Sequence, residues 1–179
     1  MSLLLYRNAL LRADGDGRTI HGLAVPFDVE TEVSDGFGRY RERFAPGAFA
    51  RSIAQRGSKI KLLANHDSRV FPIGRATSLE ERSDGLHAAF TVADTVAGNE
   101  ALELVRSGTV DSFSVGFAPV SERQDGNVVV RTEVALREVS LVAFPAYPDA
   151  LVAGIRSATR TLSVDLAARR LDLLLRSWS

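Results

Sequence analysis

The chain of 179 residues has no cysteine, three histidines, one methionine and one tryptophan, and its 22 basic and 22 acidic residues cancel. Each scarcity excludes something. Without cysteine there are no disulfides, no thiol nucleophile and no cysteine-based metal centre, and a reducing compartment is allowed. With only His21, His66 and His87, a His-rich zinc site is not expected. A net charge of zero supplies no global field that would favour nucleic acid or a membrane surface. No apolar run reaches the roughly 18 residues needed to span a bilayer. Met1 to Arg7 carries too short an apolar stretch, and no basic lead-in, for a signal peptide. The expectation is a soluble cytoplasmic protein without internal repeats or low-complexity linkers.

What is present suits one globular domain, with 45% hydrophobic and 25% charged residues. Short apolar or alternating runs are punctuated by Asp-Gly turns at Asp14-Gly15-Asp16-Gly17, Ser83-Asp84-Gly85 and Asp125-Gly126. Strands are predicted at Leu3–Leu11, Thr19–Phe27, Arg39–Phe44, Ile60–Ala64, Phe71–Thr77 and Leu79–Glu81. Further strands are predicted at Leu86–Val92, from Ser112 to the Arg123–Asn127 turn, at Val128–Arg131 and at Glu133–Phe144. Pro26 should end the second strand or mark an edge, and Pro145 and Pro148 should end the last one. Glu30–Gly38 reads as a loop. One helix is expected to start at Ala45-Pro46-Gly47-Ala48 and stop at Gly57. A second, capped by Asp94 or Thr95, ends at Ser107-Gly108. The pattern predicts an α+β fold built on a mostly antiparallel β-barrel with surrounding helices. Residues 1–155 would form that domain. In 156–179, apolar residues from Val164 to Trp178 recur at helical spacing, a broad amphipathic helix that packs on the barrel or forms an interface.

One stretch is odd for a barrel strand. In Asp111-Ser112-Phe113-Ser114-Val115-Gly116-Phe117, alternation puts Phe113, Val115 and Phe117 on a core face and Ser112, Ser114 and Gly116 on the other. A face of small hydroxyls and a glycine suits a floor that another group approaches closely. A serine becomes a nucleophile when a base takes its proton and a carboxylate orients the base. Ser114 is a candidate, with Ser112 its rival and a purely structural serine the plain alternative. His66 is the best base. It follows the apolar run Ile60, Leu62, Ala64 in one alternating register and precedes a polar loop, although a surface histidine would look the same. Asp67 adjoins it, but neighbouring side chains on an extended chain point apart. Glu138 alternates with Leu136, Ser140 and Val142, and a carboxylate on so apolar a face needs a partner. Either His66 or an arginine would serve.

These residues fall in motifs that resemble a known family. Tyr40-Arg41-Glu42-Arg43-Phe44-Ala45-Pro46-Gly47-Ala48-Phe49, Asn65-His66-Asp67, Ile73-Gly74-Arg75, Ser112-Phe113-Ser114-Val115-Gly116-Phe117 and Glu138-Val139-Ser140-Leu141-Val142-Ala143-Phe144-Pro145-Ala146 occur in the order seen in prohead maturation proteases of tailed bacteriophages. The resemblance covers roughly residues 17 to 150 and implies an assemblin-like fold, a β-barrel ringed by helices. It implies a serine endopeptidase with His66, Ser114 and Glu138 as catalytic residues, and it favours Ser114 over Ser112. The oxyanion would be held by backbone N–H groups near Ser114 or near a Gly74-Arg75 turn. The implied substrates are phage scaffold and major capsid protein, and often the protease itself. The implied place is the host cytoplasm inside the immature capsid, as a homo-oligomer of two or more copies. No metal or organic cofactor is expected, and neither nucleic acid nor membrane is an expected partner. A non-catalytic capsid or scaffold component, or a peptide-binding barrel, is the alternative.

Overall fold

A computed structural model describes residues 17–35, 38–144 and 152–156. Its strands are β1 (Thr19–Pro26), β2 (Thr31–Asp35), β3 (Gly38–Phe44), β4 (Lys61–Ala64), β5 (Gly74–Arg82), β6 (Gly85–Val92), β7 (Ser112–Asp125), β8 (Val128–Val142) and β9 (Val152–Arg156). Its helices are α1 (Ala50–Arg56) and α2 (Val96–Arg106), with a 3₁₀ turn at Gly57–Lys59 after α1. The predicted first strand and the C-terminal helix lie outside the described residues.

The strands form one sheet in the order β2-β3-β8-β4-β5-β6-β1-β9, with β7 added along β8. Most strand pairs are antiparallel as expected, but the expected partly closed barrel is not formed among the described residues. Among the described residues the sheet does not close, and it is mixed, because β3 and β4 both run parallel to β8. Parallel pairs require long crossovers rather than hairpins, so the Asp-Gly turns mark only the antiparallel seams. Those seams are where the turns predict them: Arg82 faces Gly85 at the β5–β6 turn, and Asp125 faces Val128 at the β7–β8 turn.

Strand β8 is the spine. One edge pairs with β7 from Val128 to Val142, while the other pairs with β3 over Val128–Arg131 and with β4 over Glu138–Leu141. Between those two partners the edge is covered by the segment leading into α1. Ala45 N donates to Arg131 O at 3.0 Å and Val134 N to Ala48 O at 2.9 Å. The Ser52 hydroxyl donates to Val134 O at 2.6 Å and accepts from Leu136 N at 2.9 Å. Ser52 thus completes the ladder that β3 and β4 leave open, which also makes one continuous strand of the two predicted at Val128 and Glu133. Ser52→Ala would leave a buried N–H and C=O without partners, and such a loss costs about 1–3 kcal/mol. The expected result is a lower thermal midpoint, by roughly 2–4 °C per kcal/mol for a chain of this size; an unchanged melting curve would contradict it.

Other departures have local reasons. Helix α1 begins at Ala50, four residues after the predicted first helical position at Pro46, because Gly47 takes φ +90° and the Glu81 carboxylate from β5 accepts from Gly47 N and Phe49 N. A tertiary cap of this kind leaves no mark near the helix itself. Helix α2 starts as read, with the Thr95 hydroxyl accepting from Gly98 N at 3.1 Å. The predicted loop at Glu30–Gly38 contains β2, a polar strand at the end of the sheet whose Glu32 pairs with Arg39. Phe71 lies outside β5, which starts at Gly74, and β9 was not foreseen beyond Pro148. The core sits on one face of the sheet and includes Ile20, Phe44, Phe49, Leu62, Phe90 and Phe113, all essentially inaccessible.

Candidate active site

The face opposite that core carries the unusual side chains. Phe113 is fully buried, and Val115 and Phe117 pack against the core as alternation predicts. Ser114 and Gly116 point the other way. On β8 their Cα partners are Ser140 and Glu138. Glu138 is in turn paired with Lys61 at the start of β4. Ser114, Gly116, Glu138 and Ser140 therefore share one patch at the β7–β8 seam, close to the exit of β4.

His66 reaches this patch by breaking the predicted register. Asn65 and His66 both adopt left-handed backbone, with φ of 51° and 57°. Continued alternation would have carried His66 to the core face with Leu62; the two left-handed residues swing it to Glu138 instead. Asn is tolerant of this region and His is enriched there, but two in succession cost free energy that surrounding bonds must offset. Asn65 N donates to Leu141 O at 2.9 Å, Asp67 N to Ala64 O at 3.0 Å, and His66 N to the Ser140 hydroxyl at 3.1 Å.

His66 Nδ1 lies 2.7 Å from Glu138 Oε1. The imidazole is 41% exposed and the carboxylate 15%, so the ring is reachable from solvent while its partner is shielded. The hydrogen bond to Glu138 raises the His66 pKa above its ordinary 6.5, against the lowering effect of partial burial. Of the partners left open for Glu138, the structure supplies the imidazole and not an arginine. Asp67 is turned away as expected: its carboxylate binds Arg69 through Nε at 2.9 Å and Nη2 at 3.0 Å, and these bonds hold it below the usual carboxylate range.

The two serines of β7 differ. Ser112 is 3% exposed and donates to Asp111 Oδ1 at 2.7 Å. Ser114 is partly buried, and its hydroxyl has no hydrogen-bond partner among the described residues. A hydroxyl without a tether, opposite the residue that holds the His66 backbone, is free to turn toward a base. Gly116 serves the carboxylate. A Cβ there would lie 2.1 Å from Glu138 Oε1, so only glycine leaves Glu138 its place beside His66. Gly74 and Arg75, predicted as a turn that could bind an oxyanion, instead lie within β5 and are laddered to both β4 and β6. Gly74 is required by packing, since a Cβ would meet Thr91 O at 2.7 Å. By contrast β7 is paired on one edge only among the described residues, which leaves alternate N–H groups near Ser114 facing away from β8.

Sequence reasoning did not recognise Ser140 as part of this arrangement, although its place two residues from Glu138 on the same face was visible. Among the described residues no group of three or more acidic or histidine side chains could hold a metal ion.

This geometry can be set beside proteins of known sequence and structure. A family model described as caudovirus prohead serine protease matches residues 7–164. The prohead protease of Enterobacteria phage HK97 is 30% identical over 162 residues, a span of 86% of this chain and 68% of that protein. Among solved structures, the bacteriophage T4 capsid assembly protease superposes with a TM-score of 0.51 at 12% identity, covering 69% of this chain and 80% of that one. KSHV protease in complex with a hexapeptide phosphonate inhibitor superposes with a TM-score of 0.53 at 11% identity, covering 90% and 77%. At such identities the structural likeness speaks to the fold, which is the assemblin-like arrangement that the motifs implied, with an open sheet in place of a barrel.

Proposed function

Because this chain belongs to the caudovirus prohead serine protease family, we propose that it is the serine endopeptidase of prohead maturation, with Ser114 as nucleophile, His66 as general base and Glu138 as the carboxylate that orients the base. The observation that carries this reading is the 2.7 Å bond between His66 Nδ1 and Glu138 Oε1, formed on the patch that presents Ser114. With Nδ1–H donated to Glu138, the lone pair on Nε2 is available. His66 Nε2 takes the Ser114 proton as Oγ bonds to the scissile carbonyl carbon, and the carbonyl electrons move onto oxygen. N–H groups on the open edge of β7 would hold that oxyanion. The imidazolium, stabilised by Glu138, then gives its proton to the leaving amine. Water enters by the reverse sequence, with His66 again as base, and frees Ser114. Ser114 and His66 are not hydrogen-bonded in the free protein; such bonds are often long until substrate tightens them.

In this reading the substrates are scaffold and major capsid protein, and the protease itself. The place is the interior of the immature capsid in the host, and the working form is a homo-oligomer. The protease domain would extend over residues 1–155, with 156–179 as an accessory helix. The chemistry needs no metal or cofactor.

Fluorophosphonate labelling tests the assignment. A single adduct on Ser114, found by peptide mass spectrometry and lost in His66→Ala, is the expected result. Absence of a Ser114 adduct at every protein concentration would favour a non-catalytic capsid component instead, and labelling that survives His66→Ala undiminished would remove His66 as the base. Labelling that rises with protein concentration would support the homo-oligomer.

A further inference from the structure

Ser140 is fully buried, and a buried hydroxyl in a native fold has partners. Its two partners are both halves of the proposed base assembly. Ser140 Oγ donates to Glu138 Oε2 at 2.6 Å and accepts from the His66 backbone N–H at 3.1 Å. With the bond from His66 Nδ1 to Glu138 Oε1, these contacts close a ring that runs from the His66 main chain through the Ser140 hydroxyl and the Glu138 carboxylate to the His66 imidazole. Ser140 also sits between Leu63 of β4 and Ser114 of β7 in the ladder, and so joins the strand of the nucleophile to the strand that delivers the base.

We propose that Ser140 is a positioning residue for the base, one hydroxyl that fixes both the orientation of the Glu138 carboxylate and the left-handed backbone of His66. The argument is one of degrees of freedom. A glutamate carboxylate held through a single oxygen can rotate about its last torsion, which is broad. Holding Oε2 removes that freedom and aims Oε1 at Nδ1. The His66 backbone, at φ 57°, needs a fixed acceptor for its N–H to stay in a sparsely populated region. Ser140 meets both needs because its hydroxyl donates and accepts at once. This role rests on the reading of His66 and Glu138 as base and orienter.

The test uses the full chain, with the rate of fluorophosphonate labelling of Ser114 and NMR titration of the His66 ring as readouts. Among the described residues the charged group on that ring is Glu138 of β8; Lys61 of β4 is the ladder partner of Glu138, and Asp67 and Arg69 on the loop are paired with each other. Ser140→Ala is expected to slow labelling by about 10²-fold, the scale on which small misplacements near a reacting group act. The His66 titration should fall toward 6.5, and Ser140→Thr, which keeps a hydroxyl, should recover both readouts in part. A merely structural serine would lower the melting temperature and leave the His66 titration in place. An alanine variant that labels at the parent rate with an unmoved titration overturns the proposal. Should the alanine variant not fold, Ser140→Cys takes its place, since a thiol is a weak donor; parent-like behaviour there also overturns it. A His66→Ala control that still labels Ser114 would instead defeat the underlying reading, and the His66 titration in Ser140→Ala would continue to report on positioning alone.

Discussion

Replacing Ser114 with alanine is expected to lower the turnover of capsid-protein cleavage by about 10⁶-fold, the size of effect that loss of a serine nucleophile has in other proteases. The acyl-enzyme route ends with the hydroxyl, and what persists is the smaller acceleration from substrate binding and oxyanion donors. The fold should not notice. Ser114 is partly buried and holds no partner among the described residues, so the truncation orphans no donor or acceptor. The thermal midpoint should remain within the small range of ordinary surface substitutions. The measurement is cleavage of the co-expressed capsid precursor followed by gel and mass spectrometry, with the melting curve recorded beside it. Ser112→Ala is the companion variant. It removes the 2.7 Å bond to Asp111 and should leave cleavage intact. Persistent cleavage in Ser114→Ala together with loss in Ser112→Ala would move the nucleophile two residues along the same strand face.

Glu138→Gln should reduce kcat/KM by about 10⁴-fold, the magnitude seen when an orienting carboxylate is neutralised in a Ser-His-Asp protease. The glutamine amide can donate to Nδ1 and so stabilise the wrong tautomer, with the proton on Nε2 where the lone pair is needed. The same change has a pH signature. In the parent protein the bond to Glu138 raises the His66 pKa above 6.5, and the base works only when neutral. kcat/KM should therefore rise with pH through that raised value. In Glu138→Gln the raising group is gone, so the acid limb should move to lower pH even as the plateau falls. Stability runs the other way. The folded chain favours protonated His66, so the pair contributes most below about pH 6.5, where the imidazole is protonated folded and unfolded alike, and this contribution is lost as pH rises through the raised value. A pH–rate profile whose acid limb stays in place in the variant would show that Glu138 does not set the state of His66. Gly116→Ala offers a second route to the same loss, since its Cβ would occupy the place of Glu138 Oε1.

The residues proposed to carry this chemistry were legible to different degrees. Alternation along β7 was enough to separate Phe113, Val115 and Phe117 from Ser114 and Gly116, because a strand has a period of two whatever lies beside it. Glu138 announced itself because a carboxylate in an apolar strand cannot stay without a partner. The helix cap at Thr95 and the hairpins at Asp84-Gly85 and Asp125-Gly126 are local chemistry, complete within a few residues. Collinear motifs mark the family without reference to the fold.

What the tertiary structure decided is everything that depends on residues far apart in the chain. Parallel pairing of β8 with β3 and β4 joins segments more than 70 residues apart, and no turn residue records it. This pairing makes the sheet mixed, and among the described residues it stays open where a barrel was expected. The left-handed pair Asn65-His66 reverses the side on which His66 emerges, and bonds to Leu141, Ala64 and Ser140 hold that backbone in place. Ser52, Glu81 and Ser140 look like ordinary polar residues in sequence. Each gains its role from donors or acceptors that another element leaves unpaired, and such vacancies exist only once the strands have met. The sequence by itself thus determined which side chains are candidates for the chemistry, and the fold determined how they face one another, because orientation here is set by long-range hydrogen bonds rather than by local periodicity.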